Sequence, residues 1–182
     1  VYAANIETGA VKKLVTLPAG ASIVTINADE TLRAGTMNDG PAVAPPYGAK
    51  LPPGTARSNP RNDTRNPTSG NLVQPEGKGA MMERRLASRQ PLILFTVNLQ
   101  TGKMTTLLHS TDWVNHLLFS PVDPTLLMYC HEGPWQKVDR IWMIHTDGTH
   151  NTLIHKRTML MEIAGHEFWG LDGKTIWYDW QY

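Results

Sequence analysis

A turn that returns at a fixed interval limits this chain more than any single residue does. Ile6-Glu7-Thr8-Gly9 separates two short strand-like runs, 1–4 and 11–17. The same figure comes back as 92–99, Gln100-Thr101-Gly102 and 104–108, and again as 140–144, Thr146-Asp147-Gly148 and 152–155. Gly102 and Gly148 stand 46 residues apart, and Gly9 precedes Gly102 by 93, about two such periods. A second hairpin alternates with the first. It is 22–25 before Asn27-Ala28-Asp29-Glu30, then 116–119 before Ser120-Pro121-Val122-Asp123, then 166–169 before Gly170-Leu171-Asp172-Gly173. Two hairpins in every repeat of about 45 residues make four strands, the size and make-up of a β-propeller blade. Half a blade, two blades and another half give about three blades' worth of antiparallel sheet, below the roughly four to eight that close a ring. The expected fold is therefore all-β, one partial β-propeller domain over 1–182, with the missing blades N- and C-terminal to it. An ordinary antiparallel β-sandwich is the competing architecture.

Residues 34–90 break the repeat. Pro41, Pro45, Pro46, Pro52, Pro53, Pro60, Pro67 and Pro75 cannot hold a sheet ladder, so a long irregular insertion is expected. Its end, 79–89, is rich in helix formers and predicts a short helix stopped by Pro91. From Lys50 to Arg89 there are eight Lys/Arg and three Asp/Glu, a local charge of +5 in a chain whose net charge is +1. Such a segment is either a solvated loop or a basic lid over an anionic substrate, with Arg84, Arg85 and Arg89 as carboxylate ligands.

The balanced net charge argues against a dedicated nucleic-acid binder, and no apolar run approaches a membrane span, so neither partner is expected. A single cysteine, Cys130, excludes an internal disulfide and any cysteine-cluster zinc site. Beside His131 in an apolar strand, it reads as an inert buried thiol rather than a nucleophile. The opening Val1-Tyr2-Ala3-Ala4-Asn5 has neither an initiator Met nor a basic leader and looks like the middle of a longer sequence.

The candidate chemistry lies between Trp113 and Tyr182, where His116, His131, His166 and Arg140 sit in strand-like runs among tryptophans. Polar residues on rigid strands are what a preorganised site needs. Each histidine also has an ordinary explanation as a core or rim residue with a satisfied hydrogen bond. The hairpin from His116 to His131 turns near Asp123, which sets the two opposite each other. His166 occupies the place of His116 in the next repeat, three residues before an aromatic. Blade packing is expected to bring the three imidazoles together. Arg140 offers either a two-pronged grip on a carboxylate or a local ion pair with Asp139 or Glu132.

Cys130-His131-Glu132-Gly133-Pro134-Trp135-Gln136-Lys137-Val138-Asp139-Arg140-Ile141-Trp142 and Ala164-Gly165-His166-Glu167-Phe168-Trp169-Gly170-Leu171-Asp172-Gly173-Lys174-Thr175-Ile176-Trp177-Tyr178-Asp179 resemble the oligogalacturonate lyases, polysaccharide lyase family 22. The resemblance covers roughly 92–182, with a weaker match in the first blade. It implies a seven-bladed propeller that splits short oligogalacturonides, the debris of pectin, by β-elimination to unsaturated uronate monomers. It implies His166 as the base, Arg140 as the charge-neutralising residue and a manganese ion, Mn2+, whose ligands are expected beyond residue 182. On that basis this chain alone is expected to be inactive. No role follows from the motifs for Arg84, His116 or His131, which remain candidate substrate-binding residues. The expected compartment is the cytoplasm, with the periplasm as the alternative.

The residue types suit the reaction independently. Removing the C5 proton beside a carboxylate builds enediolate-like charge, which needs cations already in place. Histidine as a residue type exchanges protons near neutrality. Glu167 adjoins His166, but strand neighbours point to opposite faces, so it is not expected to orient that ring. Two other functions compete: a non-catalytic propeller used as a binding platform, and a metal-dependent hydrolase with His116, His131 and His166 as ligands.

Overall fold

The computed structural model describes residues 1–41 and 77–182. β1 (Tyr2–Ala4) and β2 (Val11–Lys13) form a two-stranded ladder. β3 (Ser22–Ile26), β4 (Leu32–Asn38), β5 (Leu92–Asn98) and β6 (Met104–Ser110) follow as a four-stranded antiparallel sheet in chain order. β7 (Trp113–Phe119), β8 (Leu126–Glu132), β9 (Ile141–His145) and β10 (Thr152–Leu153) repeat that sheet. β11 (Ile163–Trp169) and β12 (Ile176–Gln181) begin it once more. The order two, four, four, two matches the half, two whole and half blades that the turn spacing predicts. The all-β partial propeller stands.

The recurring turns have a common cause. Asn5 and Asn98 both open an Asn-x-x-Thr-Gly stretch. Their side-chain oxygens accept the backbone N–H groups two and three residues on, at 2.9 and 2.8 Å for Asn5 and 2.9 Å twice for Asn98. The glycines that close these turns, Gly9 and Gly102, stand at φ 70° and 73°, where a Cβ would be strained. In the other hairpins Asp29, Asp123, Asp147 and Asp172 accept in the same local way.

Successive sheets stack face to face, and the core lies between them. Leu92 and Leu94 meet Leu117, Leu127 and Tyr129 between the second and third sheets, while Met128 and Ile141 meet Ala164 and Ile176 between the third and fourth. Phe95 and Val97 turn the other way, toward Val15. Covered on both faces, β5 reads as an apolar run interrupted by Thr96 rather than as an alternation. Each fully buried side chain of this kind contributes about 1.5–3 kcal/mol.

Two boundaries differ from expectation. Residues 34–38, assigned to the insertion, complete β4, which pairs with both β3 and β5. The run Leu-Arg-Ala-Gly-Thr-Met-Asn lacks the β-branched density of a strand, and only the ladders on either side reveal it. Gly35 belongs there because a Cβ would come within 2.0 Å of the Ser22 carbonyl oxygen. The expected helix forms as α1 (Lys78–Ser88), ended by Arg89 in the left-handed conformation at φ 50°. Residues 42–76 of the insertion lie outside the described residues.

The alternation of strand direction sets one end of the sheets apart. There β4 ends and β5 begins, β6 ends and β7 begins, β8 ends and β9 begins, and β11 begins. α1 enters β5 at this same end. Met82 is buried, Glu83 pairs with Lys137 at 2.8 Å, and Arg89 pairs with Asp112. The helix is thereby fixed against the loops that follow β6 and β8.

Candidate active site

The first strands of the third and fourth sheets carry the same irregularity. In β7 the pairing passes from Asn115↔Cys130 to Leu118↔Met128, and in β11 from Gly165↔Asp179 to Phe168↔Trp177. Two residues oppose one in each bulge: His116 and Leu117 opposite Tyr129, His166 and Glu167 opposite Tyr178. His116 stands at φ 49° and His166 at φ 53°, left-handed values that cost a non-glycine residue about 1–3 kcal/mol. A bulge re-aims a side chain that regular pleating would place elsewhere. The equivalence of the two histidines inferred from the repeat is therefore an equivalence of backbone geometry.

His116 closes a buried charge cluster. Its Nε2 lies 2.9 Å from Glu132 Oε1 and its Nδ1 3.6 Å from Glu167 Oε1. Arg140, only 5% exposed, donates from Nε to Glu167 Oε2 at 3.2 Å and from Nη2 to Oε1 at 3.4 Å. Its Nη1 is 3.0 Å from Glu132 Oε1, close enough to pair by charge but without hydrogen-bond alignment. Of the two expectations for Arg140, the ion pair is the one formed, with Glu132 and Glu167 as partners; Asp139 pairs with Arg157 instead. Cys130 donates its thiol hydrogen to Glu167 at 2.8 Å, and burial, reinforced by the Glu167 charge, pushes its pKa far up. It is the inert thiol the sequence suggests.

Charges in the cluster balance when His116 is protonated: two carboxylates, one guanidinium and one imidazolium. The bond to Glu132 raises the His116 pKa, against burial, which lowers it. Burial pushes the Glu132 carboxyl up, but the His116 bond and the Arg140 charge outweigh it and leave the pKa below its usual value. Glu167 is likewise held low by the Cys130 and Arg140 bonds in spite of burial.

His166 is differently placed. Its side chain is 84% exposed, and Nδ1–H donates to Asp179 Oδ2 at 2.7 Å. A carboxylate on Nδ1 places the proton there and leaves Nε2 as a lone pair open to solvent. Glu167 points the other way, into the cluster, as strand alternation requires. Asp179 escaped the sequence analysis, although its signal was present: the hairpin arithmetic that paired His116 with His131 also sets Asp179 near His166.

That same arithmetic failed for His131. The register of Leu118↔Met128 would already set His131 opposite Asn115, and the bulge moves it one further, so His131 faces Val114 rather than His116. Its strand neighbour Glu132 faces the cluster, and His131 therefore faces the opposite side, stacked on Trp142 at 5.0 Å between ring centroids. Burial lowers its pKa, partly opposed by Asp112 at 3.5 Å. The expected convergence of three imidazoles does not form: His116 faces the cluster, His131 the opposite side and His166 Asp179, and the hydrolase alternative loses its ligand set among the described residues. Nor do the described residues fit manganese: no group of three or more His, Cys, Asp or Glu among them is arranged to hold a metal ion. Within the cluster Arg140 is already the cation between the two glutamates. Arg84 lies half-buried on α1.

Comparison with known proteins converges on one family. The family model described as oligogalacturonate lyase matches residues 85–181, more than half of the chain. An oligogalacturonide lyase of Pectobacterium atrosepticum is 38% identical over 86 residues, which are 47% of this chain and 22% of that protein. An oligogalacturonate lyase of Dickeya dadantii is 36% identical over the same span, with the same coverage. The matched region thus spans 22% of the length of these curated relatives. A solved structure of an oligogalacturonate lyase in complex with manganese superposes with a TM-score of 0.67 at 22% identity, covering 97% of this chain and 40% of that one. One from Vibrio parahaemolyticus gives 0.70 at 20% identity, covering 100% and 41%. At such identities the solved structures establish the fold.

Proposed function

The chain belongs to the oligogalacturonate lyase family, and from that premise we propose that it forms part of an enzyme that splits short oligogalacturonides by β-elimination, with His166 as the base. The observation that carries this is the pairing of His166 Nδ1 with Asp179 at 2.7 Å on an exposed bulge. A fixed tautomer with Nε2 open is the arrangement a proton abstraction requires. Nε2 takes the C5 proton, and the electron pair passes toward the adjacent carboxylate. The C4–O bond then breaks to leave a C4=C5 double bond, and the departing oxygen takes a proton from water.

Arg140 supports this reading as a buried positive charge bound at Glu167, the residue that follows His166. Its Nε and Nη2 are committed to Glu167 and its buried Nη1 faces Glu132, so its part in neutralising the reacting carboxylate is one of charge rather than of a direct fork. A manganese ion would supply further neutralisation of the enediolate charge, and its ligands are sought outside the described residues. The test is product analysis by mass spectrometry, with absorbance of the new double bond, after the protein encoded by the complete reading frame meets digalacturonate and manganese. Unsaturated product is expected. Saturated galacturonate, the product of hydrolysis, would overturn the proposal, and so would no reaction at all.

A further inference from the structure

Among the cations of α1 and its cap Arg89, Arg85 is the arginine stacked beside the charge cluster. Arg89 is paired with Asp112, and Lys78 lies over the Trp135 ring at 4.6 Å from its centroid. Arg85 is exposed, lies over the Trp113 ring with its Cζ 3.7 Å from the centroid, and makes no ion pair among the described residues. Stacking on an indole occupies the face of a guanidinium and leaves the in-plane N–H donors directed outward. Trp113 is itself the register partner of Glu132, the carboxylate that faces His116 and Arg140. Burial, joined by the Arg84 charge, lowers the Arg85 pKa, and the Glu132 charge opposes them. Arg85 is therefore a preorganised cation with open donors on the rim of the charge cluster. Met82 and the Glu83–Lys137 pair fix the helix that presents it.

We propose that Arg85, braced on Trp113, binds a carboxylate of the substrate outside the reacting sugar and so selects for a chain of uronates. This rests on the proposed lyase function: an oligogalacturonide bears a carboxylate on every sugar, and one cation at the reacting centre leaves the next carboxylate unread. Of the three arginines the sequence offers as carboxylate ligands, Arg84, Arg85 and Arg89, the geometry selects Arg85.

The experiment uses the complete protein with digalacturonate and with the same disaccharide esterified at its non-reacting uronate. With digalacturonate, Arg85→Ala is expected to raise KM about tenfold, the worth of one charge-assisted hydrogen bond, and to change kcat less than twofold. With the ester, the variant and the wild type are expected to share one KM. Arg85→Lys is expected to recover less than half of the loss, because a lysine cannot stack and present a fork together. Calorimetric binding of digalacturonate to a His166→Ala background, with and without Arg85→Ala, is expected to show the same tenfold difference without turnover. A KM within twofold of wild type, a loss confined to kcat, or equal losses on acid and ester would each overturn the inference while leaving the lyase function intact. A wild-type protein without lyase activity would instead defeat the function itself.

Discussion

The third and fourth sheets bear the same histidine on the same bulge at nearly the same φ, and they use it in opposite ways. In the third sheet both ring nitrogens of His116 face buried carboxylates, Glu132 and Glu167. In the fourth sheet His166 has one carboxylate, Asp179, on one nitrogen, and its other nitrogen is open. The register shows where the difference arises. Glu132 stands opposite Trp113 where Gln181 stands opposite Ile163, and Cys130 stands opposite Asn115 where Asp179 stands opposite Gly165. A repeat thus conserves how a side chain is aimed and leaves its chemistry to two facing positions. His116 is a brace for a charge cluster; His166 keeps one ring nitrogen without a carboxylate partner.

The largest effect expected from breaking this contrast is on turnover. His166→Ala in the complete protein is expected to lower kcat on digalacturonate about 10²–10⁴-fold, the usual worth of a general base. His116→Ala, which removes a half-exposed brace, is expected to lower kcat less than tenfold. Steady-state kinetics on the two variants decides it. Equal losses would mean that both bulges contribute to the chemistry and that the distinction drawn from their partners is wrong. Arg140 is a poorer probe, because removing it leaves Glu132 and Glu167 buried without their cation, a cost of about 3–5 kcal/mol in stability.

The blade count and the two functional motifs were legible in the sequence because turns are local: an Asn or Asp accepting from its own neighbours writes its signature within five residues. For the site, the sequence offered only candidates, named from the resemblance of its motifs. His166 and Arg140 could be named, but Glu132 as a brace and Asp179 as the orienting carboxylate depend on which residue faces which across a ladder. One bulge displaces every such pairing beyond it, as His131 shows. Strand β4 was lost for a related reason, since its residues are held by two neighbours rather than by propensity of their own.

A smaller effect isolates the orienting carboxylate. Asp179→Asn keeps size and removes the charge that places the proton on Nδ1 of His166. The expected loss in kcat is about ten- to a hundredfold, below that of deleting the base. Circular dichroism should be unchanged, because both side chains are exposed. A variant with wild-type turnover would show that Nε2 needs no help from Asp179.

The smallest expected effect concerns His116 and pH. Its folded pKa is raised, with the Glu132 bond as the first cause, burial opposing, and Arg140 and Glu167 as the other charges facing it. A raised histidine contributes stability that is fully present below its unfolded value of about 6.5 and is lost as pH rises through the folded value. Above that point the cluster holds two carboxylates against Arg140 alone. Because the His116 ring is 50% exposed, solvent screening limits the contribution to less than about 1 kcal/mol. In a chain of this size that is a fall in Tm of about 2–4 °C at most. The measurement is thermal unfolding at pH 6 and pH 9 for the wild type and for His116→Gln, which keeps a donor for Glu132 but cannot titrate. The wild type is expected to lose more stability than the variant between the two values. An equal fall in both would show that the cluster does not depend on a proton at His116, and would remove the balance of charge as the reason that the third sheet's histidine differs from the fourth's.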